Sequence, residues 1–243
     1  MQNRIKAALI LGSFVASSAF AGVSPELAAQ LGTTLTPMGA EMAGNEDGSI
    51  PAWDPSGGPV PADFVPGSGH FPNIFPDEKP LYTINGSNWQ EYKDQLTAGT
   101  IGMFEKYGAD GWALNVYPTH RISTRPDWYY ANTAKNATGA SLVQDGQKIE
   151  NNLPGVPFPI PQSGLEAIWN HMIRYGTDSN QDYDTYYVDS SGKPVLATSA
   201  HSVSAYPMFS EDARDKPVGD TPWTMLRIDY NAPARRAGEI LLV

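Results

Sequence analysis

Asp178, Asn180, Asp182 and Asp184 stand at alternate positions with Asp189 in the twelfth place, which is the oxygen-ligand spacing of a calcium loop. Tyr183, however, occupies the place where such a loop turns sharply on glycine, and Asp189 is shorter than the usual bidentate glutamate. The stretch reads better as an acidic turn entering a strand, with calcium as the weaker alternative. Ser190 and Lys193 have the S-x-x-K spacing of serine-lysine acylases, but that chemistry needs a helix to put both side chains on one face, and here they lie in a Ser-Ser-Gly turn. The histidines, His70, His120, His171 and His201, are far apart, and none has a near partner for metal or proton transfer. His171 sits one place off an apolar stripe and reads as a partly buried helix residue. There is no G-x-S-x-G elbow, no H-E-x-x-H helix, no phosphate loop and no dinucleotide fingerprint. The expectation is a protein without cofactor, without an identifiable catalytic residue, and not an enzyme.

Aromatic residues are the remaining chemical resource: six Trp, twelve Tyr and eight Phe, with doublets at Tyr129-Tyr130 and Tyr186-Tyr187. Read as strands, each doublet sends one ring to the core face and one to the opposite face. If helices cover that opposite face, the result is an aromatic-lined cavity for an apolar ligand. A packed core with ordinary surface tyrosines is the alternative.

The elements that would position these residues are legible in outline. Ser24 caps and Pro25 opens a short helix that Gly32 stops. From Gly44 to Pro80, Pro and Gly alternate with Trp53, Phe64, Phe71, Ile74 and Phe75, a composition that suits an extended strap pinned by its aromatics. A helical stretch opens at Asn88, with Trp89, Tyr92 and Leu96 on one face; Gly99 and Gly102 interrupt it before Met103, Phe104 and Tyr107, and Gly108 ends it. A second helix runs from Ser163 to Gly176. Ser163 and Glu166 form its capping box, Leu165, Ile168, Trp169, Met172 and Ile173 its apolar stripe, and Arg174 sits in its last turn. Ala140–Gln144 and Gln147–Glu150 read as a hairpin around Asp145-Gly146. Tyr183–Asp189, Pro194–Ser202, Trp223–Tyr230 and Arg235–Val243 read as four further strands. The class is α+β, an antiparallel sheet with a few helices.

Arg4 and Lys6, the apolar run Ala7–Ala16 and the closing Ala19-Phe20-Ala21 form a secretory signal peptide with an A-x-A cleavage site. The expected organisation is a signal peptide over residues 1–21, an N-terminal helix and strap over 22–87, and a helix plus antiparallel sheet over 88–243. The expected compartment is the periplasm. With no cysteine in the chain, a lipobox anchor, disulfides and thiol catalysis are excluded, and no membrane anchor is expected. Removing Arg4 and Lys6 takes the formal net charge from −10 to −12, so nucleic acid is an unfavourable partner. Gly238–Val243 is an apolar strand without turn, cap or polar tail, which leads us to expect the N-terminal portion of a longer protein.

Six segments carry a family resemblance: Leu31–Glu41 (LGTTLTPMGAE), Gly44–Trp53 (GNEDGSIPAW), Val116–Arg121 (VYPTHR), Gly155–Pro161 (GVPFPIP), Gly164–His171 (GLEAIWNH) and Ala232–Glu239 (APARRAGE). Through them the chain resembles a family of proteobacterial periplasmic proteins, domain of unknown function 1329, also described as outer membrane lipoprotein-sorting protein-like. That family is similar to the lipoprotein-localisation (Lol) carriers. The resemblance therefore implies a curved antiparallel half-barrel with covering helices around a hydrophobic cavity. It also implies a carrier or chaperone of lipid, lipoprotein acyl chains or another apolar compound, with an inner-membrane transporter or outer-membrane protein as partner. A hydrolase of an apolar or cell-wall substrate, or a structural subunit of an envelope transport system, stands as the alternative. On this reading Trp169, Met172, Leu165, Tyr186, Tyr187 and Tyr130 line the cavity, and the Ser163–Gly176 helix, with Trp169 and Met172 pointing inward, is its lid.

Overall fold

A computed structural model describes residues 22–69, 72–219 and 221–243. The signal-peptide reading of residues 1–21, together with His70 and Phe71, lies outside the described residues. Within them the chain is α+β, with three open antiparallel sheets: β1 (Tyr82–Ile84) with β2 (Leu114–Val116), β3 (Ser141–Val143) with β4 (Lys148–Glu150), and a meander of β5 (Ser179–Val188), β6 (Pro194–Ala205), β7 (Met225–Ala232) and β8 (Ile240–Leu242). No helix among the described residues is long and apolar enough to cross a membrane.

At the N-terminus Ser24 Oγ accepts from the Leu27 N–H and Pro25 takes the first helical position, so a single turn, α1 (Pro25–Ala28), forms. Asn88 opens a 3-10 segment, Trp89–Gln95, and the break falls at Leu96, not at the glycines. Helix α2 (Ala98–Tyr107) runs through Gly99 and Gly102 because Thr97 Oγ1 caps it, accepting from Thr100 N–H at 3.2 Å. The two interior glycines cost about 1 kcal/mol each. Burial of Phe104 offsets them, with its ring stacked on Trp89 and edge-on to Trp112. Gly86 is required where it faces the end of α2: a Cβ there would strike the carbonyl of Gly108.

The main departure from expectation is α3 (Asp127–Gly139), which follows Pro126 and includes the tyrosine doublet. Consecutive helical residues diverge by about 100°. Tyr129 accordingly enters the core and Tyr130 a neighbouring cleft, whereas a strand would have sent them to opposite faces of a sheet. The buried face of α3 is partly polar. Asn132 Nδ2 donates to the carbonyls of Pro154 (3.0 Å) and Arg214 (2.6 Å). Thr133 Oγ1 donates to Tyr129 and accepts from Val156 N–H, and Asn136 satisfies both peptide groups of Leu153 and the Val156 carbonyl. The proline-rich segment 152–161 forms no sheet ladder with α3, so amide side chains supply its partners.

The central cluster is Tyr129, Met208 and Phe209, surrounded by Met38, Trp128, Val156, Tyr175, Tyr206, Val218 and Trp223. Burial pushes the Tyr129 phenol up to about 12 from its ordinary 10.0, against the opposing pull of the nearby Arg125 cation. The unfolded phenol ionises first. Stability should therefore be intact below pH 10 and fall as pH rises from 10 toward 12. Urea midpoints at pH 9 and 11.5 check this, and Tyr129→Phe should flatten the fall; an equal fall in that variant would assign the effect elsewhere.

Helix α4 (Gly164–Met172) starts at Ser163, whose Oγ accepts from Glu166 N–H, while Glu166 Oε2 accepts from Gln162 N–H. It stops four residues before Gly176. Its apolar stripe is largely uncovered, with Leu165, Ile168 and Met172 exposed at 53%, 56% and 46%, and His171 is also exposed rather than partly buried. In the meander, β-bulges interrupt the β5–β6 register at Thr185/Tyr186 and the β6–β7 register at Ser199/Ala200, which bends and twists an otherwise regular sheet.

Candidate functional site

The candidate site is a cleft of about 340 Å³ lined by Pro37, Met38 and Ala40, Trp53, His120 and Tyr130, with Thr36, Arg121 and Ser123 at its polar margins. One wall is a tight turn at residues 36–40. Thr36 N–H donates to the Ala40 carbonyl at 2.7 Å, and Thr36 Oγ1 accepts from Ala40 N–H at 3.1 Å. Gly39 makes the turn possible with φ +93°, pressed so close to the Pro159 carbonyl that a side chain would collide. The turn thus presents Pro37 and Met38 beside the cleft.

The opposite wall is the strap and the loop it crosses. Arg121 reaches back and donates to the carbonyls of Ala43 (2.9 Å), Pro51 (3.1 Å) and Glu41, while its own carbonyl accepts from Asp54 N–H. Trp53 Nε1 donates to Ser123 at 3.0 Å, which fixes the indole over the cleft. The His120 ring stacks on Phe75 at 3.8 Å, and its Nε2 meets Glu78 Oε1 at 2.6 Å. Tyr130 approaches from α3, and its hydroxyl accepts from Arg125 N–H at 2.6 Å.

Each of these side chains makes at least one hydrogen bond within the protein. Most of the surface left to face a ligand is hydrocarbon and aromatic, chiefly Met38, Trp53, Tyr130, Pro37 and Ala40. Such a cleft can shelter apolar atoms, with the Arg121 cation, bonded to neutral carbonyls, at its margin.

Of the residues expected to line a cavity, only Tyr130 lies in this cleft. Trp169 is pinned elsewhere, Nε1 donating to Gly146 of the β3–β4 hairpin at 2.7 Å, with Leu165 packed against that same glycine. Asn170 binds both peptide groups of Phe158. These bonds bolt α4 to the hairpin and to segment 155–161, and Met172 points to solvent rather than inward. Tyr186 and Tyr187 alternate across the far end of β5 and are each 55% exposed.

The acidic stretch does not converge. Asn180, Asp182 and Asp184 stand along β5, a ten-residue strand that at about 3.4 Å per residue extends about 30 Å. Asp178 accepts from Tyr206 N–H, Asp182 meets His201 Nδ1 at 2.9 Å, and Asp189 caps the β5–β6 turn. The Ser191 hydroxyl, with the Lys193 and Ser191 amides, holds the Asp189 carboxyl below the usual range. Among the described residues no group of three or more His, Asp or Glu side chains is placed to hold a metal ion. Ser190 and Lys193 lie in that turn, not on a helix.

Residues 83–243 match the family model described as "Protein of unknown function (DUF1329)". The chain belongs to the DUF1329 family. It is also similar to the uncharacterized protein PA3922 of Pseudomonas aeruginosa, with 40% identity over 232 residues that make up 95% of this chain and 50% of the relative. The chain thus spans about half the length of the curated relative it matches. No solved structure matches it. The DUF1329 match supplies His120, Arg121, Ser123 and Tyr130 to the cleft, whereas Thr36–Ala40 and Trp53 lie upstream of it.

Sequence reasoning missed this cleft, although its parts were in view. Leu31–Glu41, Gly44–Trp53 and Val116–Arg121, three of the segments that carry the family resemblance, meet here.

Proposed function

We propose that this DUF1329 chain is a non-enzymatic, exported carrier or chaperone that binds lipid, lipoprotein acyl chains or another apolar compound in the Trp53–Tyr130 cleft and works in the periplasm. One observation supports the reading: the polar side chains around the cleft are each bonded within the protein, so the surface left for a ligand is mostly apolar. Burying ~200 Å² of acyl or ring surface at ~25 cal/mol per Å² offers about 5 kcal/mol before the costs of association. The bulged, open meander is compatible with part of a curved half-barrel of the Lol-carrier kind, in which an inner-membrane transporter or an outer-membrane protein would load or receive the cargo.

Titration with the fluorescent apolar probe N-phenyl-1-naphthylamine tests it. Trp53→Ala should weaken binding at least about tenfold, the loss of about 1.4 kcal/mol. Trp53→Phe, which keeps a ring but loses the bond to Ser123, should weaken it less, and Leu165→Ala on α4 should leave it unchanged. Equal affinity in Trp53→Ala and the parent, or no binding by the parent, would overturn the assignment.

A further inference from the structure

Arg121 brings a permanent positive charge to the margin of a largely apolar cleft. Its guanidinium donates twice from Nη1, to the carbonyls of Ala43 and Pro51, and once from Nη2, to that of Glu41. Nη1 is then saturated, while Nε–H and the second hydrogen of Nη2 meet no acceptor among the described residues. Its acceptors are neutral carbonyls, so the charge itself is uncompensated. Arg125 adds a second cation close by: its Nη1 donates to Ser123 Oγ at 3.1 Å and its backbone N–H to the Tyr130 hydroxyl at 2.6 Å, and Ser123 and Tyr130 both line the cleft. Among the described residues neither guanidinium pairs with a carboxylate, although the chain has 26 Asp and Glu against 16 Lys and Arg. The Glu78 carboxylate is turned to His120 Nε2 at 2.6 Å and is not part of the lining.

A carboxylate is the head group that suits such a margin. It accepts in pairs from a guanidinium edge such as Nε and Nη2, and the surrounding hydrocarbon strengthens the bond by lowering the local dielectric. An alcohol or ester head leaves the charge unanswered, and a quaternary ammonium head is repelled. The volume of about 340 Å³ lies near the lower end of the ~300–1,000 Å³ typical of ligand pockets, which favours one acyl chain over the several of a membrane lipid or a lipoprotein. We propose, resting on the apolar reading of this cleft, that its ligand is a single-chain fatty carboxylate whose head binds the Nε–Nη2 edge of Arg121.

Displacement of N-phenyl-1-naphthylamine from the unaltered chain tests this, with dodecanoate, dodecanol and dodecyltrimethylammonium as competitors below their micelle concentrations. Dodecanoate should displace the probe at a concentration at least about tenfold lower than dodecanol does, and dodecyltrimethylammonium should be the weakest of the three. A second measurement locates the head group. In isotope-labelled protein the Nε–H resonance of Arg121, assigned by its loss in Arg121→Lys, should move downfield with dodecanoate and stay in place with dodecanol. Equal displacement by the acid and the alcohol, or an Arg121 resonance that dodecanoate leaves unmoved, would overturn the proposal and leave the apolar reading standing. A chain that binds neither the probe nor any of the three competitors would overturn both.

Discussion

Asn136→Ala is expected to destabilise the protein by about 3 kcal/mol, near the upper end of what one substitution does. Asn136 is almost fully buried on α3 and satisfies three backbone groups: the Leu153 carbonyl at 2.9 Å, the Val156 carbonyl at 3.2 Å and the Leu153 N–H at 2.7 Å. Alanine strands all three away from water, and each orphaned group costs about 1–3 kcal/mol less whatever relaxation recovers. Asn136→Asp should be no better. It keeps an acceptor for the Leu153 N–H but turns a carboxylate toward two carbonyl oxygens. Urea denaturation reads the effect as a lower midpoint at unchanged slope. A loss below about 1 kcal/mol would mean that segment 152–156 finds other partners.

Arg121→Ala should be the next most damaging change, at about 2 kcal/mol, and its signature is local. The guanidinium binds the carbonyls of Glu41, Ala43 and Pro51, three points on one side of the cleft, from a half-exposed position that lets water replace part of what is lost. Limited proteolysis should then cut within residues 41–53 of the variant and spare the parent. Arg121→Lys should not rescue the strap, because one ammonium cannot reproduce the planar fork that spans separate carbonyls. An unchanged cleavage pattern in Arg121→Ala would show that Trp53 and Phe75 hold the strap without it.

What was legible in the sequence, and what was not, follows from the kind of signal each element carries. Strands β5, β6 and β7 stand out because runs such as Tyr183–Asp189 and Pro194–Ser202 are rich in β-branched and aromatic residues and bounded by turn residues. Helix α3 does not. Its inward face includes Asn132, Thr133 and Asn136, so counting apolar residues at helical spacing passes over it, and Tyr129-Tyr130 then resembles a strand. In α4 the stripe of Leu165, Ile168 and Met172 is real, but periodicity reports that one face is apolar and not what covers it. The cleft was hidden for a different reason: its walls lie about 70–80 residues apart and meet through Arg121 and Trp53, hydrogen bonds that no local spacing announces.

That separation has a kinetic consequence. The bonds of Asn136 close loops of 17 and 20 residues, whereas those of Arg121 close loops of 70, 78 and 80. Closing the longer loops costs only about 1.4 kcal/mol more, yet contacts remote in sequence form late because they wait for the intervening chain to order. The α3 region should therefore belong to the folding nucleus and the Arg121 clasp to the final docking step. Asn136→Ala would slow refolding, while Arg121→Ala would leave refolding unchanged and hasten unfolding. The Trp53–Tyr130 cleft should then be among the later parts of the molecule to form and the earlier to be lost.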